Sequence, residues 1–331
     1  MSEAVKKEEA KEEKKLINVS VSPHVRSHDS TRAIMIDVAI ALVPTLGFGI
    51  YQFGLGAVKV ILISLIGCVG FEALYNLIAK KPQTISDFSA VVTGLILAVN
   101  LPSTVPWYVP LIGSFFAIVI VKMLFGGLGQ NFMNPALAAR CFLLISFSSL
   151  MTDFSVDGVS SATPLSMLAN GESVSTLDLF IGFQAGCIGE VSAVAILIGA
   201  LYLLIRKVIT PRIPFTYIIS TVVFIWIINL ASGGDTSPIY LLNEVLSGGL
   251  LVGAFFMATD YVTSPITPKG QILYGVLLGL ITALFRTLSS SAEGVSYAII
   301  ICNLLVPMIE KATVPKPFGC EKIKHAKGGS K

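Results

Sequence analysis

A chain of 331 residues that is 54% hydrophobic and only 13% charged, with a mean hydropathy of +0.80, lies outside the range of soluble domains, where about a quarter of residues are charged. The net charge of +3 sits in the ends and loops, so it points neither to nucleic acid nor to an acidic partner. The composition predicts a polytopic, all-α membrane protein.

Met1–Lys15 mixes Glu and Lys with no apolar core, which predicts a solvated tail rather than a signal peptide or a span, within a charged segment 1–30. Ten apolar segments follow: Ala33–Phe53, Val58–Ala79, Phe88–Leu101, Trp107–Phe125, Pro135–Leu150, Ile188–Ile205, Phe215–Ala231, Glu244–Met257, Ile272–Leu288 and Val295–Ile309. A crossing needs about 20 apolar residues, with tolerance to about 17. About ten transmembrane helices are therefore expected, the third and eighth too short to cross. The transmembrane domain spans 31–310, with a first half 31–150, a polar loop 151–187 and a second half 188–310, and residues 311–331 form a basic tail.

The two short helices occupy the third place of each five-helix half. An odd number of crossings per half puts the halves in opposite orientations, so the pattern predicts an inverted repeat whose broken helices meet near the midplane. The alternative is two ordinary helices shortened by local bilayer thinning. Lys80, Lys81, Arg206, Lys207, Arg212, Lys269 and the basic tail fall on one side, while Met151–Cys187 holds no Lys or Arg. The positive-inside rule places both termini in the cytoplasm and that loop outside.

Five widely scattered cysteines without a C-x-x-C pair argue against a disulfide framework, or a zinc or iron–sulfur site made by this chain alone. His24, His28 and His325 lie in the terminal segments and read as surface histidines. Asp37, Glu72, Asp87, Glu190, Glu244 and Asp260 lie in or beside the spans. Glu72 is several residues inside, so it is a candidate for pairing with a cation from a partner protein or for an ion path. Lys122 and Arg140 are expected to snorkel. The run Phe125-Gly126-Gly127-Leu128-Gly129 predicts either close helix packing or room for a flat ring.

The loop Asp157-Gly158-Val159-Ser160-Ser161-Ala162-Thr163-Pro164-Leu165 is hydroxyl-rich between apolar segments. Pro164 holds Thr163 in an extended conformation, and a Ser/Thr cluster before an apolar run reads first as a helix cap. Asp157–Thr163 also resembles a D-G-x-[ST]-G-A-T signature at which a flavin transferase esterifies a threonine with FMN; Ser161 stands where Gly is usual. Further matching stretches are Ser22-Pro23-His24, Leu101-Pro102, Phe125–Asn131 with Asn134-Pro135-Ala136, Ile188-Gly189-Glu190, Phe255–Asp260 with Thr263-Ser264-Pro265, and Glu293-Gly294-Val295. From about Asn18 to Pro317 the chain resembles the RnfD/NqrB family, which joins a membrane component of the Rnf complex to one of the sodium-pumping NADH:quinone oxidoreductase. The short N-terminus favours the Rnf branch.

That resemblance implies a membrane electron-transfer component, not catalytic alone, of a redox-driven complex that links ferredoxin to NAD and moves sodium ions or protons. It implies FMN esterified to Thr163, the A, B, C, E and G components of the Rnf complex as partners, and a flavin transferase for maturation. A second, non-covalent flavin such as riboflavin is the functional reading of the glycine run. Inverted halves with broken helices suit, as the rival reading, a channel or transporter for a small solute.

Overall fold

The structure, a computed structural model, describes residues 30–156, 159–160, 162–172, 174–288 and 294–315. Ser22-Pro23-His24, the three histidines, Asp157, Gly158, Ser161, Glu293 and Cys320 lie outside the described residues. The first half comprises α1 (Thr31–Phe53), α2 (Leu55–Ile78), α3 (Ser89–Val99), α4 (Tyr108–Met123) and α5 (Pro135–Ser146). The second comprises α6 (Ala193–Ile205), α7 (Arg212–Ser232), α8 (Leu250–Met257), α9 (Pro268–Leu288) and α10 (Gly294–Thr313). The protein is a polytopic membrane helix bundle; its one strand pairing among the described residues is a short antiparallel hairpin, Ser155–Val156 with Val159–Ser160.

Local chemistry sets the boundaries. Ser30 caps α1 by accepting from Ala33 N at 3.2 Å, and Gly54, at φ 59°, ends it. Asp87, two residues before α3 begins its first turn, accepts from Ser89 N at 2.8 Å and so satisfies the N–H of the first helical residue. Asn134 accepts from Ala136 N at 3.1 Å, with Pro135 in the first turn of α5 where a missing N–H costs nothing. Ser192 does the same for α6 through Ala195 N at 3.3 Å.

Five helices, α1, α2, α7, α9 and α10, are long and apolar enough to cross a bilayer. α8 meets the preceding helix Pro238–Leu246 at a bend of 63°, across a break at Gly248 and Gly249, both at positive φ. The short third and eighth helices are as expected, and they are the innermost. Every residue of α3 except Val91 is buried, as is every residue of α8. A helix apolar all round belongs in the core. Each is entered through a left-handed residue, Phe88 (φ 64°) or Gly249 (φ 68°), and Asn100, just past α3, donates to the sulfur of Met257 at the end of α8. The two short helices therefore meet by their C-terminal ends.

The fifth and sixth helices are shorter than expected, with 12 and 13 residues. Ile188–Val191 was expected to be helical, but this stretch packs as irregular backbone on the end of α3, Ile188 N donating to Leu101 O at 3.1 Å and Gly189 N to Val99 O at 2.9 Å. A Cβ on Gly189 would fall 2.0 Å from Val99 Cγ1, so glycine permits that approach. Irregular backbone at membrane depth is tolerated when protein covers and satisfies it.

Contacts divide the loops into two faces. Asp37 with Arg206, Tyr261 with Val208, and Ile266 with Glu310 gather the connections on the face holding both ends of the described chain. Gly56 against Ser103, Thr104 with Asp153, and Thr176 with Asn243 gather the opposite face, which carries the 151–187 loop.

Candidate functional site

On that opposite face Thr163 is half-buried, with φ −69° and ψ 148°, the extended geometry that Pro164 imposes on the residue before it. It caps the helix Pro164–Ala169, its Oγ accepting from Ser166 N at 3.4 Å, while Ser166 Oγ donates to Thr163 O at 2.8 Å. The capping role read from sequence is thus realised. A bond of 3.4 Å lies at the weak end of the range, which leaves the hydroxyl available for other chemistry. Thr163 also lines a small recess with Gln184, Glu190 and Gly248.

The helix that Thr163 caps forms one wall of a cavity of about 850 Å³, closed on its other sides by the outer end of α7, the helix Pro238–Leu246 and the end of α9. That volume is within the range of about 300–1,000 Å³ typical of cofactor sites. Leu165 lies on the wall of both the recess and the cavity. The floor carries a buried ion pair. Arg286 Nη1 lies 2.8 Å from Glu244 Oε2, their side chains 2% and 7% exposed, and Arg286 Nη2 donates to Ser247 O at 3.0 Å and Gly248 O at 3.3 Å. One arginine thereby satisfies the carbonyls released where the backbone breaks before α8. Its Nε–H has no hydrogen-bond partner among the described residues. Sequence reasoning missed this clamp; the available signal was a single arginine in the last turn of an apolar helix, on the side otherwise almost free of basic residues.

The six carboxylates in or beside the spans all find partners inside the chain. Asp37 pairs with Arg206 at 3.2 Å and accepts from Tyr202 Oη at 2.8 Å. Glu190 pairs with Arg140 at 3.2 Å, and Arg140 also donates to Asn100 Oδ1 beside the C-terminus of α3. Asp260 accepts from Thr263 Oγ at 3.1 Å; desolvation in the packed loop pushes its carboxyl above the usual carboxylate range, against the Thr263 and Val262 hydrogen bonds that lower it. Asp87 accepts from Ser89 N and Ser89 Oγ, and Glu244 belongs to the clamp.

Glu72 is paired within its own chain rather than with a cation from outside it. Lys122 Nζ lies 2.6 Å from Glu72 Oε2 and donates to Ser89 Oγ at 2.6 Å, while Thr84 Oγ donates to Glu72 Oε1 at 2.5 Å. Lys122 and Arg140 do not snorkel, contrary to expectation. Their side chains are 2% and 4% exposed, because a carboxylate waits inside the bundle at the level each amine or guanidinium reaches.

The glycine run forms the turn after α4, with Gly126, Gly127 and Gly129 at positive φ. Leu128 and Asn131 border a second cavity between α3 and α8, where Asn131 Oδ1 is buried without a partner among the described residues. Its volume is about 80 Å³, several times less than the smallest typical cofactor sites, at about 300 Å³. Cys68, Cys141, Cys187 and Cys302 are all buried.

Residues 18–319 match the model of the NQR2, RnfD, RnfE family. The chain is 48% identical, over 93% of its length and 97% of the relative's, to the D component of the Na(+)-translocating ferredoxin:NAD(+) oxidoreductase complex of Acetobacterium woodii. It is 39% identical to the D component of the proton-translocating ferredoxin:NAD(+) oxidoreductase complex of Clostridium ljungdahlii, over 95% and 99% of the two chains. The D component of the ion-translocating oxidoreductase complex of Actinobacillus succinogenes is 33% identical, over 92% and 98%. The match runs through both halves, the loop and all ten helices, and on it the chain belongs to the NQR2, RnfD, RnfE family.

Proposed function

We propose that the chain is the D component of an ion-translocating ferredoxin:NAD oxidoreductase complex, that it carries FMN esterified to Thr163, and that it passes electrons between its partners in the cell membrane. The observation that carries the assignment is full-length similarity to proteins of that name. The flavin reading draws on Thr163 capping the helix that walls a cavity of cofactor size. Bound there, the isoalloxazine ring supplies the redox chemistry. The chain supplies the tethering Oγ, an apolar wall that includes Leu165 and Leu168, and the buried Arg286–Glu244 pair. The partners are the other components of the complex and the transferase that esterifies the threonine. The coupled ion is sodium or a proton, the two ions that the relatives' names give.

Glu72 reads as a structural anchor of α2 to α4 and α3 rather than as a stop on an ion path, since Lys122 neutralises it. The functional test is in-gel fluorescence of the denatured chain, with intact mass. A fluorescent band and a mass increase equal to esterified FMN are expected, and an unmodified chain from cells that express the transferase overturns the flavin reading.

The orientation proposed has both termini cytoplasmic and Thr163 outside. It is supported by Lys80, Lys81, Arg206, Lys207, Arg212 and Lys269 in the connections of one face, and by the absence of Lys and Arg from 151–187. Cysteines placed at the exposed positions Glu172 and Lys269, in a background without the native five, are expected to react with an impermeant maleimide only from outside and only from inside, respectively. Equal labelling of both in intact cells contradicts this topology.

A further inference from the structure

Lys59 is an exposed cation in the apolar helix α2, one turn from the end where Gly56 meets Ser103 on the face of the 151–187 loop. No ion pair joins it to a carboxylate among the described residues. Ile63, Ile66, Gly70 and Leu74 follow it at helical spacing on the same side of α2. These four line a groove of about 410 Å³ between α2 and α4, with Trp107 and Leu111 on its other wall. The groove opens to the outside of the bundle, since Ile66, Gly70, Leu74 and Trp107 are all exposed. Gly67 in its floor is needed inside the protein, because a Cβ there would fall 2.9 Å from Ser114 Cβ. Gly70 is not: a Cβ there would meet nothing within 4 Å, and its backbone is ordinary helix. A glycine in mid-helix weakens the helix, so the missing side chain serves what lies in the groove.

We infer that this groove holds one acyl chain of an anionic phospholipid, whose headgroup phosphate meets the Lys59 ammonium. Length selects a lipid over a neighbouring protein helix. From Ile63 to Leu74 the groove runs roughly 16 Å, at about 1.5 Å of rise per residue. That is the depth of one leaflet, half of a hydrocarbon core about 30 Å thick, whereas a crossing helix needs the whole thickness. Charge selects an anionic headgroup. Side chains on a helix tilt toward its N-terminus, so Lys59 reaches away from the apolar groove and toward the headgroups on the side of the 151–187 loop, which itself has no Lys or Arg. Trp107 and Tyr108, edge to face with ring centroids 6.2 Å apart, flank the same end of the groove, the place aromatic side chains favour at a membrane interface. Below them the lining offers only aliphatic and aromatic carbon to its occupant, which suits a methylene chain.

The chain has two tryptophans, so Trp226→Phe leaves Trp107 as the single reporter at the groove. The experiment is quenching of its fluorescence in the full-length chain, reconstituted into vesicles of phosphatidylcholine and phosphatidylglycerol with bromine on the acyl chains of one lipid or the other. Brominated phosphatidylglycerol is expected to associate about fivefold more strongly than brominated phosphatidylcholine, the order that one lysine contributes at an anionic membrane surface. Lys59→Gln should make the two lipids equal, and Lys59→Arg should keep the preference. Gly70→Leu fills the groove from a position whose Cβ meets no other atom within 4 Å, and it should also remove the preference. If Gly70→Leu does not fold, Lys59→Gln carries the test. Equal quenching by the two lipids in the parent means that the groove meets bulk lipid and is free for a neighbouring protein's helix, which overturns the inference. A preference that survives Lys59→Gln, or survives Gly70→Leu in a folded chain, overturns it as well.

Discussion

Thr163→Val is expected to abolish the covalent flavin, with no fluorescence on a denaturing gel and an intact mass equal to the unmodified chain, while insertion and folding persist. Valine nearly matches threonine in shape but has no oxygen to esterify. The fold loses little, because the capping contact removed is a 3.4 Å bond to Ser166 N on a six-residue helix. Losing a cap costs about 0.5–2 kcal/mol, and so long a contact belongs at the low end. Ser166, the neighbouring hydroxyl, donates to Thr163 O and sits inside the first helical turn, so it does not replace the lost nucleophile. Thr163→Ser keeps the oxygen and should restore at least part of the modification. Fluorescence that survives Thr163→Val moves the attachment to another residue.

Lys122→Met is expected to destabilise the bundle by about 3–5 kcal/mol, the usual consequence of stranding one member of a buried ion pair. The stranded group is Glu72, 0% exposed, left with only the Thr84 hydroxyl. The methionine fills most of the space of the lysine stem, so the loss is electrostatic rather than a cavity. Adding Glu72→Gln should recover most of it, because a neutral amide needs no cation and Thr84 can still bond to it. Denaturant unfolding in detergent, read by tryptophan fluorescence or by the monodisperse fraction, measures the cycle. A single variant as stable as the parent means that Lys122 and Glu72 do not pair in the membrane. A double variant no more stable than Lys122→Met means that the lysine acts through packing.

Hydrophobic run lengths alone determined the ten-helix plan and singled out the two that could not cross. A run of about 11 apolar residues cannot span about 30 Å of hydrocarbon whatever surrounds it. Thr163's extended backbone was equally legible, since the proline ring acts on its immediate neighbour. Ile188–Val191 reads as helix from composition, yet Gly189 can lie flat on Val99 only because α3 ends there, far earlier in the chain. The ion pairs are of the same kind. Glu72 and Lys122, Arg140 and Glu190, and Glu244 and Arg286 are separated by 50, 50 and 42 residues, and no local periodicity links them. Read singly, Lys122 and Arg140 looked free to reach water, because snorkelling is the cheapest course for a lone cation in an apolar helix. Only the packed bundle, which brings a carboxylate to each, made burial the lower-energy arrangement. The cavity behind Leu165 likewise exists only because the loop helix, α7 and α9 close around it.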